Sequence, residues 1–126
     1  MDQLLIIAKW KVHNGRAAEF KALVAECMSV VKRQTPDILQ YDWYFNESRM
    51  EYHLQEKYAD SNSFLSHLGD IGELLGKLIA VADLEADIYG DPSQAVLDAT
   101  AGVNKTVYSF SEGVGQPIRI PASSLS

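Results

Sequence analysis

The stretch "YHLQEKYADSNSFLSHL", residues 52–68, runs from an alternating segment directly into a helical one. Apolar and polar residues alternate up to Tyr58, which is typical of a strand with one buried face. Glu56 is the carboxylate in that otherwise apolar row. Asp60, or the serine after it, is a suitable N-cap for the helix that follows. The stretch therefore predicts a strand, a short turn and a helix, with His53, Glu56, Tyr58 and His67 as candidate reactive side chains.

A β-hairpin is predicted just upstream, because a second alternating segment precedes the first. Residues 38–47 and 50–58 are separated by a short polar link at Ser48-Arg49. Two alternating segments joined in this way are typical of a hairpin. The inward row of the first segment is expected to be Leu39, Tyr41, Trp43 and Phe45.

The N-terminal third predicts a strand over residues 3–13 and a helix over residues 14–34. The inward row of the strand is Leu4, Ile6, Ala8, Trp10 and Val12. The helix has a stripe with a period near 3.6, made of Ala17, Phe20, Val24, Cys27 and Val31, with Leu23 and Val30 beside it. Pro36 disfavours helical geometry at Thr35 and is expected to end the helix there.

The C-terminal half predicts a helix up to about Val81, a strand over 82–90, a short helix over 91–102 and a strand over 105–113. Gly69, Gly72 and Gly76 lower the helix propensity, so a break or kink is expected near 69–72.

The order β-α-β-β-α-β, followed by a C-terminal helix and strand, predicts an α+β fold. Its core is a ferredoxin-like antiparallel sheet with helices on one face. The expected division is a domain over 1–103 and an extension over 104–126.

Composition narrows the classes of partner. The chain has 126 residues and a net charge of −6, which disfavours binding to nucleic acid. Cys27 is the only cysteine, so no intrachain disulfide or thiolate metal cluster is expected, and a buried, inert thiol is predicted. The histidines at 13, 53 and 67 lack metal-ligand spacing.

The apolar run "LLIIA" is too short for a signal peptide or membrane span, so a cytoplasmic location is expected.

Four segments together resemble the antibiotic biosynthesis monooxygenase domain, a dimeric α/β-barrel superfamily: "VHNGRAAEF", "TPDILQYDWY", "LQEKYADSNSFLSHL" and "ADIYGDPS". The likeness covers roughly residues 3–90. The family pattern has Pro-Gly before a strand Tyr, then Glu-x-Trp or Glu-x-Tyr, then a helical His. Pro36 and Tyr41 fit this pattern and Asp37 replaces the Gly, while residues 56–58 and His67 fit the later positions.

This resemblance implies a cofactor-independent monooxygenase that acts on a quinol or polycyclic phenol in a cavity between sheet and helices. It implies His67, Glu56 and Tyr58 as catalytic residues. The expected pocket-lining residues are Tyr41, Trp43, Tyr52, Trp10 and Phe64. It also implies a homodimer through the sheet faces, and the exposed Leu5, Ile7, Tyr44 and Tyr89 favour the same contact. Heme-degrading relatives use a first-strand Asn and a strand-end Trp, so Ala8 and Tyr58 disfavour heme degradation.

Structural interpretations remain open beside these roles. His67 has two interpretations: it is a proton acceptor in the site, or it lies on the helix surface and is hydrogen-bonded to Ser63 or Asp70. Glu56 is a base or one half of an ion pair across a dimer. The strand aromatics line a pocket or simply fill the core. Accordingly, the alternative function is a non-catalytic, stress-associated or ligand-sequestering dimer that binds a small apolar or aromatic molecule.

Overall fold

The computed structural model describes residues 3–33 and 37–114, and the element order confirms the prediction. The elements are β1 (Leu4–Val12), α1 (Ala17–Lys32), β2 (Ile38–Asn46), β3 (Glu51–Tyr58), α2 (Ser61–Val81), β4 (Ala82–Tyr89), α3 (Gln94–Ala99) and β5 (Asn104–Tyr108). Among these residues, no helix combines the length and apolar character needed to cross a bilayer. The predicted helix stop at Thr35-Pro36 lies outside the described residues.

One sheet with the strand order β2-β3-β1-β4-β5 forms the frame of the molecule. The first four strands pair antiparallel in the ferredoxin-like order, as predicted. β5 pairs parallel to β4, so the five-stranded sheet is mixed. The crossover between these two strands is α3, because a parallel partner cannot be reached by a hairpin. The division of the chain at residue 103 stays a prediction, and residues 115–126 lie outside the described residues.

On the inner face of the sheet, side chains that are opposite one another on neighbouring strands form rows. Three of these rows contribute residues to the cavity described below. The acid row consists of Tyr41, Glu56, Ile6 and Ile88. The alanine row consists of Trp43, Leu54, Ala8, Ala86 and Lys105. The tryptophan row consists of Phe45, Tyr52, Trp10 and Leu84. The predicted inward row of β1 is confirmed, since all five of its residues are buried.

Helices α1 and α2 cover this inner face. Phe20, Leu23 and Cys27 on α1 are buried as the predicted stripe requires. On α2, Phe64 and Leu78 anchor opposite ends of the helix against the sheet. Burying apolar surface between one sheet face and two helices is what stabilises a layered domain of this size.

Helix α2 is continuous, so the predicted break near 69–72 is wrong. Gly69, Gly72 and Gly76 lie on its exposed side, where a side chain would meet no neighbour within 4 Å. Each glycine costs about 1 kcal/mol in helix propensity. The buried apolar side of α2 offsets that loss, and Asp60 caps the helix by accepting a hydrogen bond from the Ser63 amide at 2.9 Å.

Three further details differ from the sequence patterns, of which one is that β5 ends at Tyr108 rather than at residue 113. A bulge between Ile38 and Gln40 interrupts the alternation of β2, so Leu39 is 46% exposed rather than inward-facing. Ile38 packs against the core in its place. Helix α3 is shorter than predicted, because Ser93 caps it by accepting from the Val96 amide at 3.3 Å.

Candidate functional site

A cavity of about 370 Å³ lies between the inner face of the sheet and helices α2 and α3. This volume falls within the usual range for small-molecule sites. The cavity exists because Ala8 and Ala86 are adjacent in the register and neither side chain reaches far from the sheet. Its remaining wall comes from α2 and from Thr100 and Lys105 at the C-terminal end of the fold.

The structure brings most of the predicted site residues to this cavity. Those on its wall are His67, Glu56, Tyr41, Trp43, Trp10 and Phe64. Tyr58 lies behind Glu56 and contacts the cavity only through it. Tyr52, predicted to line the pocket, lies outside the lining, because its ring packs on Phe20 at 4.9 Å and on Phe45 at 4.4 Å.

The carboxyl group of Glu56 is 6% exposed and faces a mostly apolar cavity. Tyr58 Oη donates a hydrogen bond of 2.5 Å to Glu56 Oε1. Burial raises the pKa of Glu56 from 4.5 to about 7, although the hydrogen bond from Tyr58 acts in the opposite direction. Burial also raises the pKa of Tyr58, so the phenol stays protonated and remains a donor. Glu56 is thus poised to exchange a proton near neutral pH.

His67 is 1% exposed and points into the interior rather than lying on the helix surface. Its ring is 5.2 Å from that of Tyr41 and 5.5 Å from that of Tyr58, measured between centroids. Nε2 lies 3.9 Å from Glu56 Oε1. Burial lowers the pKa of His67 from 6.5 to about 4, so at pH 7 this contact joins a neutral imidazole to the carboxyl group and is not an ion pair.

Two indole rings form part of the cavity wall. Trp10 and Trp43 are the only tryptophans of the chain, and both line the cavity. The Nε1 atoms of both are buried and make no hydrogen bond to the described residues. Buried donors are almost always paired in proteins. Both N–H groups are therefore candidates for a hydrogen bond that the described residues do not supply.

Other candidate residues lie elsewhere. His53 Nε2 is 2.5 Å from Glu51 Oε2, and His13 Nε2 is 2.9 Å from Asp83 Oδ1, both away from the cavity. Cys27 is buried as predicted, and burial raises the pKa of its thiol to about 11. Over residues 3–33 and 37–114, no group of three or more His, Cys, Asp or Glu side chains is arranged to hold a metal ion.

Sequence reasoning missed the contribution of the α3–β5 segment to the cavity. Thr100, Val103 and Lys105 line it, although none stood out in the sequence. The parallel pairing of β5 with β4 brings Lys105 beside Ala86. No local pattern reports such a pairing, because it depends on where the crossover returns the chain.

The fold and cavity together define a class: an α+β, ferredoxin-like protein with an aromatic-walled cavity between its sheet and its helices. The sequence pattern of one family matches residues 4–70, more than half of the chain, and its description is antibiotic biosynthesis monooxygenase. The chain belongs to this family. No curated protein sequence is significantly similar to the chain.

Solved structures share the fold at low sequence identity. MupZ from Pseudomonas fluorescens is 19% identical, with a TM-score of 0.75, over 96% of this chain and 100% of its own. SnoaB, a cofactor-independent oxygenase from Streptomyces nogalater, is 18% identical, with a TM-score of 0.61, over 75% of this chain and 97% of its own. A conserved protein from Methanosarcina mazei is 21% identical, with a TM-score of 0.64, over 71% of this chain and 92% of its own.

The burial of Glu56 predicts how the free energy of unfolding depends on pH. Because the pKa of Glu56 is raised in the folded state, the folded chain holds this proton more tightly than the unfolded chain. The free energy of unfolding therefore falls as the pH rises from about 4.5 through about 7, by ~3 kcal/mol for this group alone. Glu56→Gln cannot ionise, so its free energy of unfolding should not show this fall. The difference in the free energy of unfolding between variant and wild type should therefore shift in favour of the variant between pH 4.5 and pH 8. Urea unfolding at both pH values measures this.

The matched control for this measurement is Glu51→Gln on the same strand. Hydrogen bonding to His53 lowers the pKa of Glu51, so its contribution to stability is lost as the pH falls. Glu51→Gln should therefore gain no stability at pH 8. An equal response of the two variants would show that burial of Glu56 is not the cause.

Proposed function

We propose that this protein is a cofactor-independent monooxygenase that acts on a quinol or polycyclic phenol-like molecule. The observation that carries the proposal is the carboxyl group of Glu56, buried on the wall of an aromatic cavity with its pKa raised to about 7. Family membership supports the reaction class. The resemblance in fold to SnoaB, described as a cofactor-independent oxygenase, supports the absence of a required cofactor.

The proposed chemistry begins with proton abstraction. Glu56 in its carboxylate form removes a proton from the substrate, and the resulting electron-rich anion reacts with molecular oxygen. In an anthrone, the ring CH₂ group becomes C=O: one oxygen atom enters the product, and the other leaves as water with the two hydrogens. The carbon loses four electrons and dioxygen gains four, so the step needs no further reductant.

The neighbouring residues have separate roles in this proposal. Tyr58 holds the carboxyl group through its 2.5 Å hydrogen bond, and the neutral His67 borders the site of proton transfer. The indole N–H groups of Trp10 and Trp43 donate to a substrate oxygen and stabilise negative charge that develops there. The apolar remainder of the wall binds the aromatic rings.

Oxygen consumption with anthrone tests the proposal. We expect uptake above the buffer rate, with one oxygen molecule consumed for each anthraquinone formed. Thermal stabilisation by the aromatic molecule without any uptake would instead support the alternative function, a dimer that sequesters its ligand. The absence of both effects would contradict both functions for this class of molecule.

We further propose that the protein is a homodimer that pairs through the outer face of its sheet. This face carries Leu5, Ile7, Tyr44 (53% exposed), Tyr89 (39% exposed) and Tyr108 (48% exposed). The rings of Tyr89 and Tyr108 stack at 5.1 Å and extend the apolar surface across β4 and β5. These apolar residues favour contact with a second copy, although charged residues such as the Lys9–Asp87 ion pair lie among them on the same face.

Ile7→Asp tests the proposed dimer. Ile7 lies centrally on the outer face, where a carboxylate would be desolvated in the contact. We expect the wild type to have the mass of two chains in light scattering and Ile7→Asp to have the mass of one at the same concentration. Ile79→Asp is the control, since Ile79 is 47% exposed on α2. A monomeric wild type, or loss of the dimer in the control only, would contradict the proposal.

A further inference from the structure

The α3–β5 segment gives the cavity a feature that lies outside the part of the chain matched by the family. The match ends at residue 70, whereas α3 and β5 span residues 94–108. This segment closes one end of the cavity with Thr100, Val103 and Lys105. The chemistry of that end is therefore set by residues that lie outside the family match.

Of the described residues that line the cavity, Lys105 is the only Lys or Arg. Its register partner Ala86 is buried on the inner face of the sheet, so the lysine side chain lies on the same face. Nζ donates a hydrogen bond of 2.9 Å to the carbonyl oxygen of Thr100. None of the ion pairs formed within residues 3–33 and 37–114 includes this lysine. An ammonium group has three protons, so it can hold the carbonyl and still donate to a ligand.

Lys105 and Glu56 lie at opposite sides of the cavity. They are on β5 and β3, which are separated by β4 and β1. Three strand spacings and an offset of two residues along the strands place their backbones about 16 Å apart. A flat, multi-ring molecule that presents its reacting carbon to Glu56 therefore extends toward Lys105 with its far end.

We propose that Lys105 binds an anionic group of the ligand, so that the cavity selects an aromatic carboxylate with its charged end at β5. The location of the reacting end rests on the proposed function, but the binding of the carboxylate does not. An ammonium group pairs best with a full negative charge. In a protein of net charge −6, this cation offsets the repulsion that a carboxylate would otherwise meet.

A structural role for the same lysine makes a different prediction. If Lys105 only ties the end of α3 to the sheet through Thr100, its replacement lowers stability and weakens charged and neutral ligands alike. If it binds an anion, replacement weakens the charged ligand selectively. The ratio of two affinities separates these cases, since a general loss of stability affects both ligands.

Calorimetric titration with anthracene-2-carboxylate and its neutral carboxamide tests the inference. The full chain should bind the carboxylate about tenfold more tightly than the amide, as expected for a charge-assisted hydrogen bond in a partly buried site. Lys105→Gln should abolish this preference and leave the affinity for the amide nearly unchanged. Lys105→Arg should retain the preference, and so should the control Lys77→Gln on the exposed side of α2.

Several results would overturn the inference. These are equal affinity of the wild type for the two probes, an unchanged ratio in Lys105→Gln, or no binding of either probe. The measurement uses no oxygen turnover, so it fails independently of the proposed reaction. A lysine-dependent preference without oxygen uptake would contradict the monooxygenase alone, and uptake of oxygen without the preference would contradict the anion site alone.

Discussion

Replacement of Glu56 by glutamine is expected to lower the rate of anthrone-dependent oxygen uptake at least about a hundredfold. Glutamine keeps the size of the side chain and cannot accept a proton from the substrate. The hydrogen bond from Tyr58 can still reach the amide oxygen, so the shape of the site should survive. The lost rate therefore reports the base and not a collapsed cavity.

The pH dependence of the same reaction supplies a second readout. Only the carboxylate form of Glu56 accepts a proton, and its pKa is raised to about 7 by burial. We expect kcat/KM to rise with pH through about 7 and then level off. A group at the ordinary pKa of a glutamate would already be ionised throughout this range. The residual rate of Glu56→Gln should not show this rise.

Glu51→Gln provides the matched control for activity as well as for stability. Glu51 lies on the same strand, where it pairs with His53 and Arg49 away from the cavity. Its replacement should leave oxygen uptake within about twofold of the wild type, because surface changes away from a site rarely alter the chemistry. Wild-type activity in Glu56→Gln, or a rate that falls as the pH rises through 7, would contradict the proposed base.

Ala8→Leu is expected to weaken the binding of anthracene-2-carboxylate at least about tenfold. The larger side chain projects from the centre of the alanine row into the space that the ligand would occupy. The folded protein should remain as stable as the wild type or gain stability, because apolar atoms fill a void without displacing the core. Calorimetry and thermal unfolding of the same sample measure the two effects.

The control for this substitution is Ala25→Leu. Ala25 lies on the exposed side of α1, where a leucine is compatible with the helix and far from the cavity. It should leave ligand affinity unchanged. Wild-type affinity in Ala8→Leu would mean that the ligand binds outside the cavity. A loss of several kcal/mol of stability would mean that the space beside Ala8 is closed in solution.

Local patterns predicted the elements well where one physical effect dominated. The alternating rows of β1 and β3 and the capped start of α2 follow from burial on one face and from a satisfied backbone amide. The continuity of α2 across Gly69 and Gly72 could not be predicted in this way. Propensity disfavours those glycines, whereas packing of the opposite side of the helix decides the outcome. Similarly, the bulge that exposes Leu39 depends on pairing with β3 and not on the residue itself.

The sequence by itself determined the order of the elements, the family resemblance and the candidacy of Glu56, Tyr58 and His67. Only the tertiary structure decided that Glu56 and His67 share one cavity, that Tyr52 lies outside it, and that Lys105 joins it from the far edge of the sheet. Periodicity and capping arise between residues that are close along the chain, so the sequence reports them directly. The pKa of Glu56 and the space above Ala8 arise from side chains on different strands and helices, so they exist only once the chain is folded.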